Sequence, residues 1–221
     1  ESEACSRTAE MLREGRAQVA MKGQVHTGDF SRALFSKEAE LLEPGRLVSH
    51  IALCQVASYH KLLFLTDCAI NIRPDYDDKV RILENAVILA RKLGISRPKV
   101  GLVAPVETVN PKIDSTTDAE RLRKEYDPRQ ALLDGPFGLD VALSREAAQI
   151  KKIESPVAGD ADILLFPELN SGNAVYKTLT VLAGASIAGI LIGLRVPVVV
   201  TSRADTAETK LLSLKLSLAS V

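Results

Sequence analysis

Short apolar runs set the limits on what this chain becomes. Eight of them, "RAQVAMK" (16–22), "LVSHIALCQV" (47–56), "LLFLTDCAI" (62–70), "KVGLVAPV" (99–106), "ALLDGP" (131–136), "ADILLFP" (161–167), "IAGILIG" (187–193) and "VPVVVTS" (196–202), are rich in Val, Ile, Leu or Ala and too short for buried helices. Helical patterns lie between them. The clearest is "DDKVRILENAVILARKLG", where Val80, Leu83, Val87 and Ala90 repeat on one face, acids open the segment, and Gly94 follows a basic last turn. Further helices are expected over 3–14, 118–126, 144–152, 173–184 and 205–219. Strands alternating with helices predict an α/β fold around a mostly parallel sheet. Runs 47–56 and 62–70 are joined only by "ASYHK", too short for a crossover, so they should form an antiparallel hairpin and make the sheet mixed.

The 221 residues suffice for one large domain or two modest lobes. Breaks near "LLEPGRL" (41–47) and 186–195 divide the chain into a discontinuous first lobe, 1–44 plus 191–221, and a second lobe, 45–190. The chain opens on Glu1 inside a helical pattern, which predicts that an N-terminal part of the first lobe is missing. Lys and Arg together number 28, as do Asp and Glu, with no basic block, so nucleic acid is not an expected partner. Cys5, Cys54 and Cys68 are odd in number and scattered, which suits a reducing cytoplasm rather than a disulfide framework. The uncharged stretch "TLTVLAGASIAGILIGL" (178–194) falls short of the ~20 residues of a membrane span. Its glycines suggest instead a helix ending near Gly184 and then a buried strand.

Polar clusters follow several strands, where an open α/β sheet collects ligands. In "TSRADTAE" (201–208), Asp205 reads as an N-cap and Glu208 completes a capping box. Arg203 just before that helix is unfavourable with the dipole unless an anion shares the space, or else it pairs with Asp205; Thr201 and Ser202 add donors. "MKGQVHTGDFSR" (21–32) reads as a loop bringing His26, Thr27 and Arg32 towards a ligand. His26, His50 and His60 show no metal spacing. "PELNSGNAVYK" (167–177) puts Asn173 and Lys177 at the start of a helix, Lys177 serving a phosphate or simply water. "DGPFGLD" (134–140) reads first as a turn.

Taken in order, "MKGQVHTGDFSRAL", "FLTDCAINIRP", "ETVNPK", "DGPFGLDVALS", "SPVAGDADILLFPELNSGNAVYK" and "TSRADTAETK" resemble the phosphate acyltransferases, closest to the butyryl branch. The resemblance implies two α/β lobes similar to isocitrate and isopropylmalate dehydrogenases, a homodimer, and reversible transfer of a butyryl or acetyl group between coenzyme A and inorganic phosphate. It implies no metal or other cofactor, acyl-coenzyme A and phosphate being the substrates. By position, Ser202, Arg203 and Arg32 match the family's catalytic residues, with His26, Thr27, Thr201, Asn173 and Lys177 beside the substrates. Acetyl-specific relatives carry a carboxylate where this chain has Thr209, so Glu208 is the candidate base. Two alternatives stand beside this reading: a non-catalytic acyl-coenzyme A sensing domain, and a metal- and nicotinamide-dependent β-decarboxylating dehydrogenase, for which Asp134, Asp160 and Asp162 lack the spacing.

Overall fold

The computed structural model describes residues 1–201 and 205–221. All eight apolar runs contain strands, six of them shorter than the run and β5 and β7 of equal length but offset by one residue: β1 (Ala20–Met21), β2 (Ser49–Gln55), β3 (Leu63–Thr66), β4 (Lys99–Val103), β5 (Leu132–Phe137), β6 (Ile163–Leu165), β7 (Ser186–Ile192) and β8 (Val198–Val199). They form one mixed sheet in the order β1-β8-β7-β2-β3-β6-β4-β5. The hairpin is present, with Ile51 opposite Thr66 and Cys54 opposite Leu63. β2 also pairs antiparallel with β7 along seven residues, from Ser49 opposite Ile192 to Gln55 opposite Ser186. It follows that β1, β8 and β2 run one way and the other five strands run the other.

Eight helices accompany the sheet among the described residues: α1 (Ser2–Arg13), α2 (Thr27–Leu34), α3 (Tyr76–Lys92), α4 (Asp114–Glu125), α5 (Leu139–Leu143), α6 (Arg145–Ile150), α7 (Leu169–Val181) and α8 (Ala207–Ala219). The period-2 alternation of strand side chains sorts them onto two faces. Ile51, Phe64, Ile163 and Ile190 turn to a core that includes residues of α3, α4 and α8. Ala52, Leu65, Leu164 and Ile187 turn to the other core, closed by α5, α6 and α7. At the β1–β8 margin, Cys5, Ala9 and Leu12 of α1 meet Phe30 and Leu34 of α2 over Leu191 and Val198. No helix is long and apolar enough to cross a membrane among the described residues; α7 ends at Val181 and the buried β7 follows.

Three sequence expectations need correction. Residues 27–34 are helix, not an open loop, because Phe30 and Leu34 stand one turn apart and both bury against α1. "DGPFGLD" is strand as far as Phe137 rather than a turn after Leu133: the β4–β5 register shifts between Gly101 and Val103, and Phe137 accepts a bond from the Ala104 amide. The α8 N-cap is Thr206, whose side chain accepts from the Thr209 amide at 3.2 Å, so Asp205 is not the cap and Glu208 belongs to no capping box.

Candidate active site

α7 starts where the sheet fixes it. Glu168 accepts backbone bonds from Asn170 and Ser171, both at 2.7 Å, and these with the Asn170 and Ser171 side chains hold its carboxyl below the usual range although burial pushes the other way. Gly172 then lies on the turn after β3, where an added Cβ would run into the Asp67 carbonyl oxygen. One residue on, the Asn173 amide donates to the Cys68 carbonyl at 3.0 Å. Lys177 follows one turn later, exposed, with its ammonium 4.9 Å from the Tyr176 ring.

The turn that receives α7 is built on Asp67, a buried carboxylate that sequence reasoning did not single out. It accepts from the amides of His50 (3.1 Å), Ala69 (2.7 Å), Ile70 (3.0 Å) and Asn71 (3.3 Å), and from the Asn71 side chain at 2.6 Å. A carboxylate so fully donated is an organiser of backbone. The preceding Thr66 hydroxyl donates to the His50 carbonyl at 3.0 Å, stitching β3 to β2 a second time.

His50 itself stands on β2 with its ring on the α7 face. Its edge meets Tyr176 at 6.0 Å and 85°, and its Nε2 lies where a Cβ on Gly189 of β7 would approach to 2.9 Å, so glycine at that place makes room for the imidazole. Burial holds this histidine below its ordinary pKa; Lys177 acts in the same direction, while Asp67 and Asp205 oppose it. Lys177 and Asp205, far apart in sequence, thus bear on one ring.

The expected residues fall into two groups. Thr201 is buried just after β8, Asn173 is bonded to the Cys68 carbonyl, and Lys177 acts on the His50 ring together with Asp205. His26, Thr27 and Arg32 lie on α2: His26 is the exposed N-cap residue, Thr27 opens the helix, and the 81% exposed Arg32 side chain pairs with Asp29 at 3.0 Å. Arg32 lines a groove of about 900 Å³ between α1 and α2, with Arg7 and Arg13 across it. Among the described residues no hydrogen bond or ion pair joins the two groups. Glu208 is exposed in the first turn of α8. Ser202 and Arg203 lie outside the described residues.

A second missed residue joins the groups through the backbone. Lys22, 3% exposed at the end of β1, donates its amide to Val199 of β8, and its ammonium bonds the Gly23 and Val25 carbonyls at 3.2 and 3.3 Å. It fastens the turn leading into α2. Among the described residues no three His, Cys, Asp or Glu side chains converge as a metal centre.

The family described as phosphate acetyl/butaryl transferase matches residues 2–216. A phosphate butyryltransferase of Clostridium acetobutylicum is 43% identical over 97% of this chain and 72% of its own. A phosphate acetyltransferase of Rhizobium meliloti is 42% identical over 95% of this chain and 67% of its own. Among solved structures, a branched-chain phosphotransacylase from Enterococcus faecalis superposes with a TM-score of 0.91 at 35% identity, covering 98% of this chain and 78% of that one.

Proposed function

Since the chain belongs to the phosphate acetyl/butaryl transferase family, we propose that it moves a short-chain acyl group, butyryl or acetyl, reversibly between coenzyme A and inorganic phosphate. The observation that carries this reading is a match across nearly the whole chain, with both butyryl and acetyl transferases among the relatives at over 40% identity. A phosphate oxygen attacks the thioester carbonyl, the C–O bond forms, the C–S bond breaks, and the thiolate leaves with a proton as free coenzyme A. Such a reaction needs donors aimed at an oxyanion and cations around a phosphate. Arg203 and Arg32 serve the phosphate and the developing charge, and Ser202 donates to the carbonyl oxygen or sulfur. Thr201, Asn173 and Lys177 line the substrate side near α7, and His26 and Thr27 do so at the start of α2. Glu208, released from a capping box, is available as a base. Acyl-coenzyme A and phosphate are the only small molecules the reaction takes, with no further cofactor.

The two-lobed, dehydrogenase-like division into 1–44 plus 191–221 and 45–190 belongs to the same proposal. It is supported by the separate cluster that α1 and α2 form at the β1–β8 margin. A homodimer is supported by the bare apolar end of α7, where Val181 and Leu182 are 75% and 81% exposed. A cytoplasmic location accords with three buried free thiols; burial pushes that of Cys54 up to about 12 and raises that of Cys68 as well.

The test is phosphate-dependent release of free thiol from acetyl-, propionyl- and butyryl-coenzyme A. Turnover with at least one of them is expected, with Arg203→Ala reduced at least about 100-fold. No turnover with any of the three removes the reading; an Arg203→Ala enzyme as fast as wild type removes the role given to that arginine.

A further inference from the structure

A buried polar atom without a partner is costly, so a protein that keeps one in its candidate site gives reason to ask what satisfies it. Among the described residues the buried side-chain atoms lacking any partner are His50 Nδ1 and Tyr126 Oη. Tyr126 follows α4 and packs on the other face of the sheet. His50, 4% exposed, pairs across the sheet with Leu191 of β7, a member of the cluster at the β1–β8 margin, while its ring meets Tyr176 of α7. From this placement we propose that His50, in place of the exposed Glu208, is the proton acceptor for the coenzyme A thiol in the direction that consumes free coenzyme A, an inference that rests on the acyl-transfer reading above.

Three features fit the imidazole to that step. It is neutral near pH 7, because burial keeps it below its ordinary pKa, and a neutral ring leaves one nitrogen free to accept. Among the described residues the groups facing it are Asp67 after β3, Tyr176 and Lys177 on α7, and Asp205 before α8; the two carboxylates favour the imidazolium once a proton arrives. Gly189 leaves the room the ring occupies, and its amide donates to Ser213 Oγ, whose hydroxyl donates to the Thr209 carbonyl, so the strand beside His50 is tied to α8. The step balances: the S–H proton passes to Nδ1, sulfur attacks the acyl phosphate carbonyl, the S–C bond forms, the C–O bond to phosphate breaks, and the proton leaves the imidazolium on the departing phosphate.

The experiment follows acyl phosphate plus coenzyme A as a function of pH for wild type and His50→Asn, whose amide places a hydrogen-bonding atom near Nδ1 but accepts no proton. At pH 7 the variant is expected to fall about 100- to 1,000-fold in kcat with little change in KM for acyl phosphate. Its rate should then climb about tenfold per pH unit towards the thiol pKa of about 8.5, narrowing the gap about 30-fold, while wild type is flat there and declines only below pH 6.5. A merely structural role lowers the variant's rate by one factor at every pH. Should the variant not fold, nitrogen-15 NMR of the three histidines in wild type decides: the His50 ring must respond to coenzyme A and ignore its desulfo analogue. A variant within threefold of wild type, a gap unchanged with pH, or a His50 signal indifferent to coenzyme A overturns the inference. Wild type inert in both directions overturns the acyl-transfer reading instead.

Discussion

Gly172 shows how one residue can carry a site without touching a substrate. In the middle of an ordinary helix, glycine to alanine stabilises by up to about 1 kcal/mol. Here the new methyl would meet the Asp67 carbonyl, a backbone atom that cannot step aside, so Gly172→Ala should destabilise by about 1–3 kcal/mol in urea unfolding. It should also lower turnover, since Asn173 and Lys177 move with α7. Lys177→Ala leaves the fold intact and is expected to raise KM for the phosphate-bearing substrates, with arginine restoring part of the loss; an unchanged KM would place that ammonium in bulk water. Of these residues, the place of Asn173 and Lys177 on a helix that follows a strand was legible in the sequence, although that helix opens at Leu169, before the expected 173. Asp67, His50 and Gly189 were not. Their roles come from β2 pairing with both β3 and β7, which brings residues far apart in the chain onto one ring, and no local pattern encodes that.

Among elements, the three neighbouring strands β3, β6 and β4 are tied together at their entering ends by one carboxylate. Asp160, just before β6, takes Lys99 of β4 at 2.5 Å, and His60 and the Lys61 ammonium, both leading into β3, at 2.7 and 3.1 Å; Arg145 of α6 stands 3.6 Å away. Partial burial works to raise its pKa, but the bonds from Lys99, His60 and Lys61 win and hold it well below the carboxylate range. A depressed carboxyl contributes stability that is fully present above its unfolded pKa of about 3.9 and is lost as pH falls through the folded value. The urea midpoint of Asp160→Asn should therefore lie below wild type by a constant amount above about pH 5, and the difference should shrink on acidification below about pH 4. A gap that widens in acid would mean the carboxylate is not held ionised by the fold. Elements were read from sequence better than sites: the eight runs all became strands, and the hairpin and the α7–β7 join fell where expected. The helix at 27–34 escaped because it is only eight residues long, flanked by glycine and polar residues that suggest a loop. What makes it helical is the apolar surface of α1, which lies outside the segment.

At the scale of the whole molecule, the unfinished surface is the end of α7. Val181, Leu182, Ala183 and Gly184 are exposed in succession between a helix that packs on the sheet and a strand buried in it. Contiguous exposed aliphatics are a common mark of an interaction surface, and a second copy is the partner we propose. Each methylene taken from water is worth about 0.8 kcal/mol, so charging the patch should cost far more in a dimer than in a monomer. Sedimentation of the wild type is expected to show a dimer at micromolar concentration, and Val181→Lys with Leu182→Lys a monomer whose urea midpoint at low protein concentration matches wild type. Because α7 also carries Asn173 and Lys177, dissociation should loosen the helix and raise KM for phosphate-bearing substrates in parallel with the monomer fraction. A wild type that sediments as a monomer throughout, or a double variant that stays dimeric, would move the assembly surface elsewhere and leave the acyl-transfer site to stand on one chain alone.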